Sequence, residues 1–332
     1  MKRLLAAVAS LVLLVAAVFG IRAAVFAARR AHQLRPRDIP VLMYHNVLDE
    51  VGPTSWQVSA EEFARQMDQL AEAGYSTVLP HDIERATRGR GWFPRKPVVI
   101  TFDDGYEGVK TFAEPILAKH GFRAICYVIV NRLGGEGPDR AEFDSGPLLS
   151  TNEVAEMAAR GTVAIGIHSL THVPIPHRLE KEILRGRQRL LDVTGVTTRD
   201  YCFPFGLYRY DFMDAALRRS GYATAMICED RMFRYGAETN LLAIPRLSVY
   251  GGPHAISVAA TNPEDGTVAL ANDGVKIPLR AVVRRKADGH AWSSSLEWVG
   301  EGMSPTYRFP REAFAAPYRI EAWDKAGLFR YL

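Results

Sequence analysis

From Ile39 onward the chain alternates between two rhythms. Short runs of consecutive apolar residues read as buried strands, and longer stretches with apolar positions three and four apart read as helices. The runs are Val41 to His45, Thr77 to Leu79, Val98 to Phe102, Ala124 to Val130, Thr162 to Ile167, Tyr201 to Phe203, Thr224 to Cys228 and Ala243 to Val249. Between them lie Ser59 to Gly74, Val109 to His120, a segment opened by Ser150 and Glu153 and closed near Gly161, and Leu179 to Val193. Ser59 with Glu62, like Ser150 with Glu153, has the spacing of a capping box, and Gly74 and Gly161 stand where helices stop. Such alternation predicts parallel strands joined by crossover helices. With about seven or eight strands over roughly 210 residues, the expected fold is α/β: a distorted (β/α) barrel of about seven strands, or wrapped sheet, rather than a dinucleotide-binding fold. Neither glycine-rich phosphate fingerprint follows the first strand.

The rhythm changes after about Gly252. Short alternating strands follow at Thr267 to Leu270, Ile277 to Arg284, Ser294 to Val299, Tyr307 to Phe309 and Tyr318 to Trp323, separated by Asp-Gly turns. Residues 256–332 are therefore expected to form a small all-β, sandwich-like domain. At the other end, Met1-Lys2-Arg3 precedes an apolar run to Gly20; Arg22 interrupts it before Ala23 to Ala28. Residues 1–28 are expected to be an uncleaved signal anchor and 29–38 a linker, leaving 39–252 as the main domain. The alternative is a signal peptide cut after Val25-Phe26-Ala27. Arg29, Arg30, Arg35 and Arg37 follow the span, and the positive-inside rule alone would keep the body in the cytoplasm.

Composition excludes more than it assigns. The 332 residues carry a net charge of only +4, without a basic stripe interleaved with aromatics, so no nucleic-acid partner is expected. Cys126, Cys202 and Cys228 are odd in number and lack CxxC spacing, which argues for buried free thiols rather than a disulfide framework or a thiolate metal site.

Three motifs carry chemistry, each directly after a strand. Asp103-Asp104-Gly105-Tyr106 closes the strongest buried strand. Adjacent strand residues point opposite ways, so two carboxylates at one rim can divide the work between an ion and a proton. His168 and His172 are spaced to lie on one face of a helical turn, where two imidazoles could converge on one ion. Ser169 stands where HExxH has its glutamate, so the helix-borne base of zincins is missing. Tyr201-Cys202-Phe203-Pro204-Phe205-Gly206 ends in an aromatic turn that could wall a sugar pocket or aim a backbone N–H at an oxyanion.

The order of these motifs resembles the NodB-homology polysaccharide deacetylases, carbohydrate esterase family 4. Val41-Leu42-Met43-Tyr44-His45-Asn46-Val47 is similar to the opening of the biofilm poly-N-acetylglucosamine deacetylase subgroup, and Gly74-Tyr75, Leu190-Leu191, Gly195 and Gly221-Tyr222 add to the match. The resemblance covers about residues 39–250 and implies a NodB-type barrel holding a divalent metal: usually Zn2+, with Co2+, Ni2+ or Fe2+ as substitutes. It implies Asp104, His168 and His172 as metal ligands, Asp103 as general base, and Tyr106, Pro204, Phe205 and Gly206 as substrate contacts. Two family features are absent. Cys202 stands near the place of an arginine that orients the base, and Ile244 to Val249 lacks the histidine of the usual acid motif. The subgroup implies His45 as the substitute acid, with His254 a weaker candidate.

The implied activity is removal of N-acetyl groups from a polysaccharide outside the cytoplasm, by an enzyme tied to the membrane through residues 1–28. Competing expectations are an O-acetyl esterase, a silent carbohydrate-binding protein that kept the barrel, and a cyclic-amide hydrolase.

Overall fold

The computed structural model describes residues 14–28, 36–249 and parts of 256–331. Within the central stretch, 51–56, 92, 136, 138–139, 144–145, 174–175, 207, 209–210, 230 and 237–238 are not described. In the C-terminal part, the described residues are 256–272, 280–285, 287, 291–294, 296–297, 306–315, 317–323 and 330–331.

The barrel strands are β1 (Val41–Tyr44), β2 (Ser76–Thr77), β3 (Pro97–Phe102), β4 (Ala124–Val128), β5 (Val163–Ile167), β6 (Asp200–Cys202), β7 (Thr224–Met226) and β8 (Leu247–Ser248). They form one sheet in the order β7-β6-β5-β4-β3-β1-β8, all pairs parallel, with β2 paired to the beginning of β3. The sheet curls until its two edges share one segment. Ala225 N–H donates to Leu241 C=O at 2.8 Å and Met226 bridges Ile244, while a few residues on Leu247 pairs Leu42 and Ser248 pairs Met43.

Side chains sort by the two-residue period of a strand. Val41, Val99, Ile125, Tyr127, Cys202, Met226 and Ile244 share one apolar cluster. Leu42, Tyr44, Ile100, Phe102, Cys126 and Val128, from the alternate positions, share the other with helix residues such as Phe63, Val154, Ile183 and Leu190. Burial on both faces explains why these strands read as unbroken apolar runs.

The helices are α1 (Ala60–Glu72), α2 (Pro80–Thr87), α3 (Glu114–Lys119), α4 (Thr151–Arg160), α5 (Pro176–Thr194) and α6 (Asp211–Arg219). Ser150 and Glu153 form the expected capping box of α4, and Gly161 closes that helix at φ 77°. At α1, Ser59 caps Glu62 N–H, but the Glu62 carboxylate accepts from Arg65 and Gln66 instead of completing the box. The expected helix from Val109 to His120 begins with a π-helical turn, Val109–Ala113. Helices α2 and α6 were not expected from sequence, and β2 ends at Thr77 because Leu79 already serves as the N-cap of α2.

Beyond the barrel, the described strands form two four-stranded antiparallel sheets. One joins Ile256–Asn262, Thr267–Asn272, Thr306–Arg308 and Leu296–Glu297; the other joins Ala291–Ser294, Arg280–Arg285, Tyr318–Trp323 and Arg330–Tyr331. Residues 14–28 are helical and exposed, and no helix among the described residues is long and apolar enough to cross a membrane.

Candidate active site

The three motifs meet at the carboxyl ends of β3, β5 and β6. Asp103 continues the alternation of β3: its N–H donates to Tyr44 C=O at 3.0 Å, and its carboxylate, 2% exposed, meets Cys202 Sγ at 3.6 Å. Strand geometry would send Asp104 to the helix side. Instead Asp104 adopts φ 70°, a left-handed conformation rare outside glycine. Its Oδ1 lies 3.5 Å from both His168 Nε2 and His172 Nε2. Gly105 follows at φ 82°, where a Cβ would sit 3.0–3.2 Å from Val128, so the turn that delivers Asp104 leaves no room for a side chain.

The histidine pair departs from its expected form. His168 to His172 is not helical: Ser169 has φ 63° and His172 φ 59°. The i, i+4 spacing converges here through a loop. Ser169 Oγ accepts from His172 N–H at 2.9 Å, and the carbonyls of Ser169 and Leu170 accept from the N–H groups of Val130 and Asn131. Among the described residues, every non-glycine with positive φ belongs to this site: Asp104, Ser169, His172 and Phe205. Strain of this kind is held only where the surroundings over-determine it.

The donors fit a divalent ion. Asp104, His168 and His172 place one ligand atom each within 4.8 Å of one another. His168 Nδ1 lies 3.0 Å from Cys202 C=O, which can only accept, so Nδ1 carries the proton and Nε2 turns its lone pair toward Asp104. Burial drives the His168 pKa down to about 3, which keeps the ring in the neutral, ligating form at ordinary pH. Asp103, His168 and Cys202 also cluster. That set is a poor ligand group, because Arg246 occupies both Asp103 oxygens and burial pushes the Cys202 thiol up.

Arg246 joins the site without any local signal in the sequence. It is fully buried and grips Asp103 with two bonds, Nη1 to Oδ1 at 2.6 Å and Nη2 to Oδ2 at 2.7 Å. Its remaining donors reach Thr101 Oγ1 at 3.2 Å and Ile227 C=O at 3.3 Å. Burial alone would raise the Asp103 pKa, but Arg246, His168 and His45 outweigh it and hold the carboxyl well below the usual range. The arginine missing near Cys202 is thus supplied from the segment that closes the barrel.

His45, directly after β1, is largely buried. Burial carries its pKa down to about 4, against the pull of Asp103 and with the help of Arg246 and His172. Phe205 stands on the rim, 59% exposed at φ 56°, its ring centroid 4.5 Å from that of His172. Pro204 is buried beneath it. Gly206 is at φ 64°, where a Cβ would meet Cys228 Cβ at 2.6 Å. Tyr106 is 2% exposed and lies behind Phe143, whose ring is 5.3 Å from His172. Cys228 is exposed, contrary to the expected burial of all three thiols, because β7 ends at Met226 and Cys228 lies on the rim. His254 falls outside the described residues.

Residues 90–225 match the family model described as Polysaccharide deacetylase. YxkH of Bacillus subtilis (strain 168), provisionally named a polysaccharide deacetylase, is 26% identical over 199 residues, 59% of this chain and 66% of its own length. The poly-beta-1,6-N-acetyl-D-glucosamine N-deacetylase of Escherichia coli (strain K12) is 36% identical over 85 residues, 25% of this chain and 13% of its own. The chain thus spans just under two thirds of the first relative and a small part of the second. Among solved structures, IcaB from Ammonifex degensii is similar with a TM-score of 0.55 at 26% identity, covering 64% of this chain and 91% of that one. The barrel of this chain is thus similar in sequence and fold to polysaccharide deacetylase domains of the NodB type, the family model matching its residues 90–225.

Proposed function

We propose that the domain removes N-acetyl groups from N-acetylglucosamine units of an extracellular or cell-wall polysaccharide by metal-dependent hydrolysis. The observation that carries this is the convergence of Asp104, His168 and His172 beside a carboxylate clamped by a buried arginine. In this reading Asp104, His168 and His172 hold the ion, and three ligands leave positions open for water and substrate. When bound, the ion supplies Lewis acidity and lowers the pKa of water.

The remaining chemistry belongs to the chain. Asp103, ionised at neutral pH, takes a proton from the attacking water, and Arg246 keeps both carboxylate oxygens aimed. Water oxygen bonds to the acetyl carbon, the C–N bond breaks, and the departing nitrogen takes a proton, giving acetate and a free amine. His45 is proposed to deliver that proton: with its pKa lowered to about 4 it rests neutral, so the proton it passes to the nitrogen is the one taken from the attacking water. Phe205, exposed against His172, offers a face to the sugar, with Pro204, Gly206 and Tyr106 shaping the wall. The relative from Escherichia coli, named for N-deacetylation of a glucosamine polymer, supports the choice of amide and sugar.

We also propose that residues 1–28 tether the enzyme with the barrel outside the cytoplasm, the exposed apolar side chains of Leu14, Phe19, Ile21 and Phe26 facing lipid. The division into an anchor, a linker, a barrel to residue 252 and a β domain from 256 belongs to the same proposal.

The test is acetate release from N-acetylglucosamine oligomers with zinc, with chelator, and by Asp103→Asn. Release that requires both the metal and Asp103 is the expected result. Release only from acetylated xylan would convert the assignment to an O-acetyl esterase, and failure to bind metal would convert it to a carbohydrate-binding protein.

A further inference from the structure

The histidine loop poses a structural problem that its own sequence does not solve. Ser169 and His172 sit in left-handed conformations that cost about 1 kcal/mol or more each. Without a helix, no backbone ladder holds the segment between them. In this loop the carbonyls of Ser169 and Leu170 are taken up by the N–H groups of Val130 and Asn131. Its amides turn to a single side chain on another element. Glu182 Oε2 accepts from Leu170 N–H at 3.0 Å and from Thr171 N–H at 3.1 Å, and Oε1 accepts from the Thr171 hydroxyl. Hydrogen bonds to an ionised carboxylate are about twice as strong as neutral ones. Glu182 is also rigidly mounted, since the next residue of α5, Ile183, is 0% exposed in the core beneath the loop.

We propose that Glu182 is a positioning residue for the metal centre: its carboxylate fixes the Leu170–Thr171 backbone so that His168 and His172 already face Asp104 before an ion arrives. Glu182 bonds the loop between the two histidines and is not one of the grouped ligand donors, so its assigned role runs through the loop. The inference rests on Asp104, His168 and His172 being the metal ligands. Preorganisation of this sort is what outer residues of metal sites provide, and their loss typically weakens binding about 10- to 100-fold.

The experiment uses the full chain stripped of metal and titrated with Co2+ alone against a chromophoric chelator. The Co2+ visible spectrum is recorded, and amide exchange at Leu170 and Thr171 is followed in the metal-free protein. Glu182→Ala is expected to bind Co2+ about 10- to 100-fold more weakly, to show an altered spectrum and to exchange both amides faster. Glu182→Gln keeps an amide oxygen for the two N–H groups and a donor for the threonine hydroxyl, and is expected to recover most of the affinity. Wild-type affinity and spectrum in Glu182→Ala would overturn the proposal, as would a Glu182→Gln protein no better than Glu182→Ala. Should Glu182→Ala fail to fold, Thr171→Val removes one of the three bonds and is expected to weaken Co2+ binding in the same direction; unchanged binding there counts against the proposal. His172→Ala is the control for the ligand assignment. If it binds Co2+ like the wild type, the metal-centre reading fails, while amide exchange still reports whether Glu182 holds the loop.

Discussion

Asp103 is a buried anion whose desolvation is tolerable only because Arg246 matches it oxygen for oxygen. Removing the partner should therefore be worse than removing the pair. Arg246→Ala is expected to destabilise the barrel by about 3–5 kcal/mol. Arg246→Lys keeps the charge but not the fork, and should lower kcat by about tenfold or more with a smaller stability loss. Urea unfolding and steady-state kinetics on the two variants check this; equal stability of wild type and Arg246→Ala would contradict it. The histidines add a pH dependence. In the unfolded chain they titrate near 6.5, whereas in the fold His45 is lowered to about 4 and His168 to about 3. A lowered folded pKa means that the unfolded state takes up the proton first. Stability is then complete above about pH 6.5 and declines on acidification toward those folded values, by up to about 1.4 kcal/mol per pH unit for each histidine. The metal-free chain should show a lower urea midpoint at pH 5 than at pH 7. At this scale the sequence marks Asp104, His168 and His172, the proposed ligands, because each motif is contiguous and directly follows a strand. Arg246 stayed hidden because its partner is 143 positions away and nothing local marks it.

Among the elements, the rim turns set the geometry. The Pro204–Gly206 turn carries Phe205 at φ 56° and depends on Gly206, whose missing Cβ leaves space for Cys228. Gly206→Ala combines positive φ with a contact that cannot relax, and should cost about 1–3 kcal/mol. Because Phe205 touches His172 but is no ligand, substrate KM should rise while Co2+ affinity holds. Unchanged KM would remove Phe205 from the sugar site. The strands and α4 were legible because period and caps agree there, as Ser150, Glu153 and Gly161 show. Helix α2 was not: Pro80 fits the first turn of a helix, but the apolar Val78-Leu79 before it reads as continued strand. The histidine pair misled for a different reason. A spacing of four suits a helical turn, and only the tertiary bonds to Glu182, Val130 and Asn131 select a left-handed loop instead.

For the whole molecule, the barrel strands run from Val41 to Ser248, and IcaB from Ammonifex degensii is similar over 64% of the chain. Catalysis on short substrates should therefore reside in the barrel. A chain ending at residue 252 is expected to release acetate from short oligomers at a rate within about threefold of the full chain, because Asp103, Asp104, His168, His172, Phe205 and Arg246 all lie within it and the segment that closes the barrel is retained. Loss of activity on oligomers, with the barrel still folded, would assign the β sheets a part in the site. The parallel barrel was readable from alternation alone, but its closure was not, because one segment pairs with both edges through only a few residues. That closing segment also sets an order of assembly. Synthesis delivers the carboxylates, then both histidines, then Phe205, and reaches Arg246 last of all the site residues. Until the ring shuts, the nascent chain can gather its three ligands but cannot shelter Asp103 with its counter-charge. On the proposed roles, the proton-transfer half of the site is therefore the last to mature, and an incompletely emerged chain would bind metal before it could hydrolyse.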